Sequence, residues 1–465
     1  MKLAVSEVIK ATGGRLLTGD DKIIINGVST DSRSTKRGDL FVAIKGERFD
    51  GHQFIDAAIK NGASAVLASS SVNASNVALI LVSDTVCALK QLAAYYRQLF
   101  NTTVVGVTGS TGKTTTKEFI YAVLSQKYDV LKTQGNFNNQ IGLPLTVFNL
   151  DEKHQYAVLE MGMSALGEIH DLAYIARPHI GVITNIGLSH MEKLGSRENI
   201  LMAKKEIFDF FTSNDIAVLN SDDRMLRELG SMLPYQVRYF SINNIGDIRA
   251  NNIYMYKNGC YAYELSMPDN QSLEIRLNIA GYHNIYNSLA AAAVGYEACV
   301  PVELIKRGIE GISSTPQRLR ILEVSNVKLI DDTYNANPDS MKAAIDALCD
   351  VAKGRKIAVL GDMLELGHIA EQAHEEIGRF VAQKGIDVLV VIGDMAHLIA
   401  QGALNEGMFP DSIHEFKSND DAEAWLDANL RDGDAMLVKG SHGMHMNEIV
   451  DYIVARKDSG RCIII

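Results

Sequence analysis

The chain has no excess of basic residues, no cysteines at metal-ligand spacing, few prolines and no long apolar run, and each of these gaps removes a class of protein. Lys and Arg number 45 against 56 Asp and Glu, a net charge of −11. A nucleic-acid binder would carry a basic face instead. The five cysteines, Cys87, Cys260, Cys299, Cys349 and Cys462, stand at wide, irregular intervals with no C-x-x-C pair. They read as scattered reduced thiols, not as staples or zinc ligands. With 8 prolines in 465 residues, 47% hydrophobic and 22% charged, there is no sign of long disorder. The stretch Met1–Gly14 carries Glu7 inside its apolar part, and no run reaches the length of a signal peptide or membrane span. The expectation is a cytoplasmic protein without membrane insertion. No solenoid repeat or coiled-coil heptad is visible, which makes a monomer the default.

What is present is concentrated in V-V-G-V-T-G-S-T-G-K-T-T-T, residues 104–116. A β-branched run breaks into a glycine-rich loop that ends in Lys-Thr and a helix, the context of a phosphate-binding loop. Backbone N–H groups of the turn Gly109, Ser110, Thr111, Gly112 and Lys113 would face phosphate oxygens. Lys113 would reach the β and γ phosphates and Thr114, followed by Thr115, would take a place on Mg²⁺. The spacing departs from the strict pattern, because Gly106 stands one residue early and Val107 fills the first glycine's position.

A length of 465 residues exceeds one core at ~100–200 residues per domain. Three α/β blocks are expected, over 1–83, 84–314 and 315–465. The first has strands near Leu40–Ile44 and Ala65–Leu67 and a helix over His52–Asn61. The second repeats strand, loop and helix, with strands at Val104–Thr108, Ala157–Met161, Ile180–Asn185 and Ala217–Asn220. The third has strands at Ile357–Leu360, Val388–Ile392 and Ala435–Val438, and resembles a dinucleotide fold without its G-x-G-x-x-G. Open parallel sheets place ligands at the carboxyl ends of strands. There the middle block offers Glu160 and His190, which with Thr114 form an oxygen and nitrogen set for a hard divalent ion. Each alone is equally a buried, hydrogen-bonded histidine or a loop glutamate.

Longer strings carry a family resemblance. They are Asp31-Ser32-Arg33, Gly38-Asp39-Leu40-Phe41 and Asp50-Gly51-His52, the phosphate loop, and T-Q-G-N-F-N-N-Q-I-G at 133–142. Beyond these come Gly281-Tyr282-His283-Asn284 with Asn287, D-T-Y-N-A-N-P at 332–338, G-D-M-L-E-L-G at 361–367 and Lys439-Gly440-Ser441. Over nearly its whole length the chain resembles the Mur ligases, ATP-dependent amide-forming enzymes of peptidoglycan synthesis. The Y-N-A-N-P and G-D-M-L-E-L-G strings are similar to those of the members that add D-alanyl-D-alanine to a UDP-N-acetylmuramoyl-tripeptide.

The resemblance implies ATP, two Mg²⁺ ions, and an acyl phosphate captured by an amine, with a UDP-substrate domain, a central ATPase domain and a Rossmann-like C-terminal domain. It puts catalytic roles on Lys113, Lys204 and His190, with Lys204 as a CO₂-derived carbamate holding the second ion; the bland reading of Lys204 is a solvated helical lysine. It puts Asn284 and Asn287 near adenine, unless they cap the helix, and Arg318 and Asp332 at ribose or phosphate. Pro316-Gln317-Arg318 replaces the usual Gly-Arg, leaving Arg318 and Arg320 both open, and His442 stands where arginine is usual. Ser32 and Arg33 suit uracil and diphosphate, or else form a surface turn with Asp31. Asn136, Asn138 and Asn139 suit the muramoyl-peptide, or else form turns. Tyr334, Asn335 and Asn337 are expected near the dipeptide, and a hinge near Ser313–Pro316 is expected to let the last domain close. Folylpolyglutamate synthases should lack the block at 29–54. A diamino-acid-adding Mur ligase is a nearer rival, against which the Y-N-A-N-P string speaks. A P-loop switch ATPase would need no third domain.

Overall fold

The computed structural model describes residues 1–46, 49–70, 76–313, 316–457 and 462–464, with 456, 457 and 462–464 by their backbone alone. It consists of three α/β domains, each built on its own sheet. In the first, Gly27–Ser29, Asp39–Val42, Ala65–Ala68 and Ala78–Leu81 run parallel, with Arg15–Thr18 antiparallel at one edge. The helix expected over His52–Asn61 divides into a 3-10 turn, Gly51–Phe54, and an α-helix, Ile55–Lys60. A helix at Thr85–Arg97 joins the first two domains, because its Leu89, Leu92 and Tyr96 share one buried apolar cluster with residues of both.

Among the described residues the middle sheet has nine strands. Thr103–Thr108 lies between Tyr156–Glu160 and Ile180–Ile183, parallel to both. Its two neighbours follow it in the chain on opposite sides, so a crevice opens beyond its carboxyl end, as the topology of open α/β sheets requires. Gly106 sits inside this strand, where a Cβ would stand 3.0–3.3 Å from Ile207, Met161 and Pro178. It is a packing glycine, and the loop's first special conformation falls on Gly109, with φ +152°.

The expected alternation of strand, loop and helix does not continue to residue 314. Ile248–Lys257, Cys260–Ser266 and Ser272–Ala280 form an antiparallel meander at the sheet's far edge. The segment L-E-I-R-L-N-I-A buries every second residue in its second half, the two-residue period of a half-buried strand. Asn258-Gly259 and Asn270 supply the positive-φ turns between strands.

The C-terminal sheet runs Ile413–Phe416, Val388–Ile392, Lys356–Gly361, Ala435–Lys439 and Val327–Asp331 in parallel, then adds Arg320–Val324 and Cys462–Ile464 antiparallel. The G-D-M-L-E-L-G string has a structural task here. The Asp362 carboxylate accepts N–H bonds from Asp394, Met395 and Ala396 at 2.7–3.2 Å. Gly393, with φ +123°, leaves room for it, since a Cβ there would stand 2.4 Å from the carboxylate. No helix among the described residues is long and apolar enough to cross a membrane. Cys87, Cys260, Cys299 and Cys349 are free thiols, while the side chain of Cys462 lies outside the described set.

Candidate active site

The glycine loop joins the strand Thr103–Thr108 to the helix Lys113–Leu124. Loop and helix start hold their shape through bonds to two other segments. Asn185, at the end of the adjacent strand, accepts the Thr111 N–H at 3.0 Å and donates to the Thr111 hydroxyl at 2.9 Å. Thr184 donates to the Thr111 carbonyl at 2.6 Å. Asn287 accepts from Thr116 at 3.0 Å, and a Cβ on Gly112 would stand 2.6 Å from the same Asn287 oxygen. Only glycine fits at 112, both for this approach and for its φ of +78°. Asn185 is not apparent from the sequence as a site residue; its signal is a polar Thr-Asn pair closing an apolar strand.

The loop opens on a cavity of about 830 Å³ between the middle and C-terminal domains. Ser110 to Thr115 line it, as do Glu160, His190, Asn138 and Asn139 of the middle domain. Asn284 and Asn287 enter from the helix His283–Glu297, and Arg318, Asp332, Tyr334, Asn335 and Asn337 from the C-terminal domain. Gly109, Ser32, Arg33, Asn136 and Lys204 are not among the lining residues. Arg320 is likewise off the wall, on a strand opposite Asp331, so of these two arginines it is Arg318 that faces the cavity.

Glu160 ends its strand buried, 2% exposed. Its Oε1 accepts from Asn138 at 2.8 Å and from Thr114 at 3.2 Å, while Oε2 is buried without a hydrogen-bond partner. With no hydrogen bond, and only the Lys117 ammonium 3.8 Å away, this buried oxygen is left to accept a further cation. Among the described residues no three His, Cys, Asp or Glu side chains are placed to hold a metal by themselves. The donor set therefore fits an ion that arrives with oxygen ligands of its own, as nucleotide-bound Mg²⁺ does. His190 starts a short helix with φ +59°, and its Nδ1 lies 2.6 Å from Glu365 of the C-terminal domain.

Several cations are held near the phosphate loop and the C-terminal wall of the cavity. Lys113 donates to the Gly109 carbonyl at 2.8 Å. Burial pushes its pKa down, opposed by Glu160 and reinforced by Arg318. Lys204, 1% exposed in the helix Arg197–Lys205, is not solvated. Burial, and then the charge of Lys113, push it well below the usual lysine range. Arg318 lies 3.9 Å over the Tyr334 ring and donates to the Thr114 hydroxyl at 2.9 Å, tying the C-terminal domain to the phosphate loop. Lys439 pairs with Asp332 at 2.5 Å and donates to the Asn335 carbonyl at 2.8 Å. His442 does not line the cavity.

The asparagines divide by their hydrogen bonds. Asn284 donates to the Ala280 carbonyl and Asn287 donates to Asn284, so neither caps the helix, whose N-cap is Tyr282. Asn337 is an N-cap, accepting the Ser340 N–H at 2.9 Å ahead of Pro338. Asn139 accepts the N–H groups of Ile141 and Gly142 and shapes a turn, while Asn136 is exposed. In the first domain the Arg33 fork closes on Asp31 at 2.7 Å, with the Arg33 side chain 89% exposed. Asp222 is a further site residue that no sequence motif marks. It lines the cavity and accepts from the N–H groups of Ile242, Asn243 and Asn244 and from the Tyr286 hydroxyl. Burial pushes its pKa up, but those bonds outweigh burial and leave it low.

A phosphate loop, a buried carboxylate and an arginine from a second domain converging on one cleft define an ATP-dependent ligase, and the chain belongs to the Mur ligase family. Three family models match it: "Mur ligase family, catalytic domain" over residues 24–97, "Mur ligase middle domain" over 107–295 and "Mur ligase, glutamate ligase domain" over 317–442. It is 39% identical to the UDP-N-acetylmuramoyl-tripeptide–D-alanyl-D-alanine ligase of Bacillus subtilis, over 98% of this chain and 99% of the relative, and 35% identical to that of Escherichia coli, over 99% and 100%. Among solved structures, MurF from Acinetobacter baumannii superposes with a TM-score of 0.91 at 32% identity, covering 98% of this chain and 99% of that one. MurF from Thermotoga maritima in complex with ADP gives 0.83 at 32%, covering 93% and 98%.

Proposed function

We propose that the chain joins D-alanyl-D-alanine to UDP-N-acetylmuramoyl-tripeptide at the expense of ATP, forming the pentapeptide nucleotide of peptidoglycan synthesis in the cytoplasm. The observation that carries this reading is the Arg318–Thr114 bond across the cavity. It puts the phosphate loop of one domain and the Tyr334–Asn337 segment of another around one reaction volume. The full-length relatives named for this reaction support the choice of substrates.

The carboxylate of the tripeptide is a poor electrophile, because resonance and charge disfavour attack by an amine. Transfer of the γ-phosphoryl group makes it an acyl phosphate. The dipeptide nitrogen then adds, and phosphate leaves from a tetrahedral oxyanion. Both steps concentrate negative charge, so positioned cations matter more than a protein nucleophile. Lys113 and Arg318 supply two of them at the phosphate loop. Thr114, Glu160 and His190 would hold Mg²⁺ brought by the nucleotide, whose chemistry is to neutralise phosphate charge. Lys204 is buried and has its charged form disfavoured. The uncharged amine is the form that adds CO₂, so its environment suits the carbamate that would hold a second ion. Asn284 and Asn287 serve the adenine end, Asp332 the ribose or phosphates, and Ser32, Arg33, Asn136, Asn138 and Asn139 the UDP-sugar peptide. The molecule acts as a monomer.

The test is ADP release with the UDP-tripeptide alone, with D-alanyl-D-alanine alone and with both. Release that requires both supports the reading. Release indifferent to them indicates a switch ATPase, and release with the dipeptide nucleotide and a free diamino acid indicates the diamino-acid-adding ligase.

A further inference from the structure

We infer that Lys117 is a positioning residue for Glu160, setting how strongly that carboxylate meets a nucleotide-bound divalent cation; this rests on the reading of Glu160 as a metal ligand. Lys117 lies one helical turn beyond Lys113, 1% exposed and absent from the cavity wall. A buried lysine off the reaction surface needs a reason to keep its charge there. Its Nζ donates to the Thr133 carbonyl at 2.9 Å and lies 3.2 Å from Glu118 and 3.8 Å from the Oε2 of Glu160. Among the described residues it is the one cationic group within ion-pair distance of Glu160. Thr133 closes the arrangement from the other side, its hydroxyl accepting the Glu160 N–H at 3.0 Å.

Glu118 and Glu160 both line the cavity, while Lys117 stands behind them. At 3.8 Å the ammonium attracts Oε2 without taking it in a hydrogen bond. Oε1 is held by Thr114 and Asn138, so the carboxylate plane is fixed and Oε2 is left as the acceptor. The ammonium therefore balances two inward carboxylates while leaving the binding oxygen open. Outer-shell groups of this kind orient a ligand and tune its metal.

The experiment titrates Mn²⁺, followed by its paramagnetic resonance signal, into protein carrying ADP. The variants are Lys117→Gln, Lys117→Met, Lys117→Arg and Glu160→Gln. Lys117→Gln keeps a donor for the Thr133 carbonyl and removes the charge. It should weaken Mn²⁺ binding by about 10- to 100-fold, leaving metal-free ADP affinity unchanged, and Lys117→Arg should recover part of the loss. Lys117→Met should lose at least as much as Lys117→Gln; if it does not fold, Lys117→Gln carries the test. Folded Lys117→Gln with the wild-type Mn²⁺ titration overturns the inference. Glu160→Gln with unchanged Mn²⁺ binding overturns the underlying reading instead, which keeps the two failures apart.

Discussion

Glu160 and Lys204 carry the sharpest consequences of the site for single residues. Glu160→Gln preserves shape and the bonds of Oε1 but removes the charge that faces the cavity. We expect kcat to fall by more than about 100-fold, beyond the usual cost of an outer-shell change, while the protein keeps its thermal midpoint within a few degrees. Lys204→Ala should abolish most turnover, and added formate or acetate should restore part of it by replacing the carbamate's anionic oxygens. Unchanged turnover in Lys204→Ala, or no rescue, removes the carbamate. At this scale the glycine loop, Glu160 and His190 were legible because strand ends and phosphate loops write themselves into local sequence. Lys117 was not, since a lysine in a helix reads as solvated and only the tertiary fold shows it 1% exposed. Ser32 and Arg33 were legible as a motif, but the structure shows only the turn and ion pair that the pattern equally allows.

Between elements, the family strings do structural work that is testable apart from activity. Gly393→Ala places a Cβ at φ +123° and 2.4 Å from the Asp362 carboxylate. We expect a loss of about 1–3 kcal/mol, read by denaturant unfolding. His374 is fully buried in the helix Ala370–Gln383; its Nε2 accepts the Met363 N–H at 3.0 Å, and its Nδ1 lies 2.7 Å from the Ala370 carbonyl. Burial lowers its pKa below the ordinary 6.5. The unfolded chain therefore binds a proton in a range where the folded chain does not, and stability falls as pH drops from 6.5 toward the depressed value. His374→Gln should flatten that part of the curve relative to the parent. Parallel stability curves between pH 7.5 and 5 would sink this assignment. The parallel strands marked by apolar runs lie within a residue or two of their expected bounds, whereas Gly27–Ser29, Ala78–Leu81, Val130–Lys132, Gln236–Ser241, Val327–Asp331 and Ile413–Phe416 were not read from the sequence. The meander at 248–280 was hidden by its Asn and Tyr content, which blurs strand alternation. Its turns at Asn258-Gly259 and Asp269-Asn270 were the available signal.

At the scale of the whole molecule, contacts across the cleft decide the geometry of reaction. Arg318 reaches Thr114, His190 meets Glu365, Asp339 accepts the Leu188 N–H at 3.2 Å and Tyr261 donates to Asp350 at 2.6 Å. These bonds join the middle and C-terminal domains, and further closure on ligand binding would keep water from an acyl phosphate. The hinge expected near Ser313–Pro316 includes residues 314 and 315, which lie outside the described set. Small-angle scattering should show the free protein less compact than the complex with an ATP analogue and UDP-tripeptide, and equal compactness would count against closure. Three domains were readable from length and strand texture, whereas the partners across the cleft were not, because residues such as Asp339 and Leu188 meet only after the domains fold.

The most direct measurement follows a heavy-oxygen label from the tripeptide's terminal carboxylate in a reaction with Mg²⁺, ATP and D-alanyl-D-alanine. Activation through an acyl phosphate delivers one labelled oxygen to inorganic phosphate for each amide bond sealed. Labelled phosphate in step with pentapeptide nucleotide is the expected result. Amide formation with unlabelled phosphate, or ADP release with no amide bond, would contradict the account.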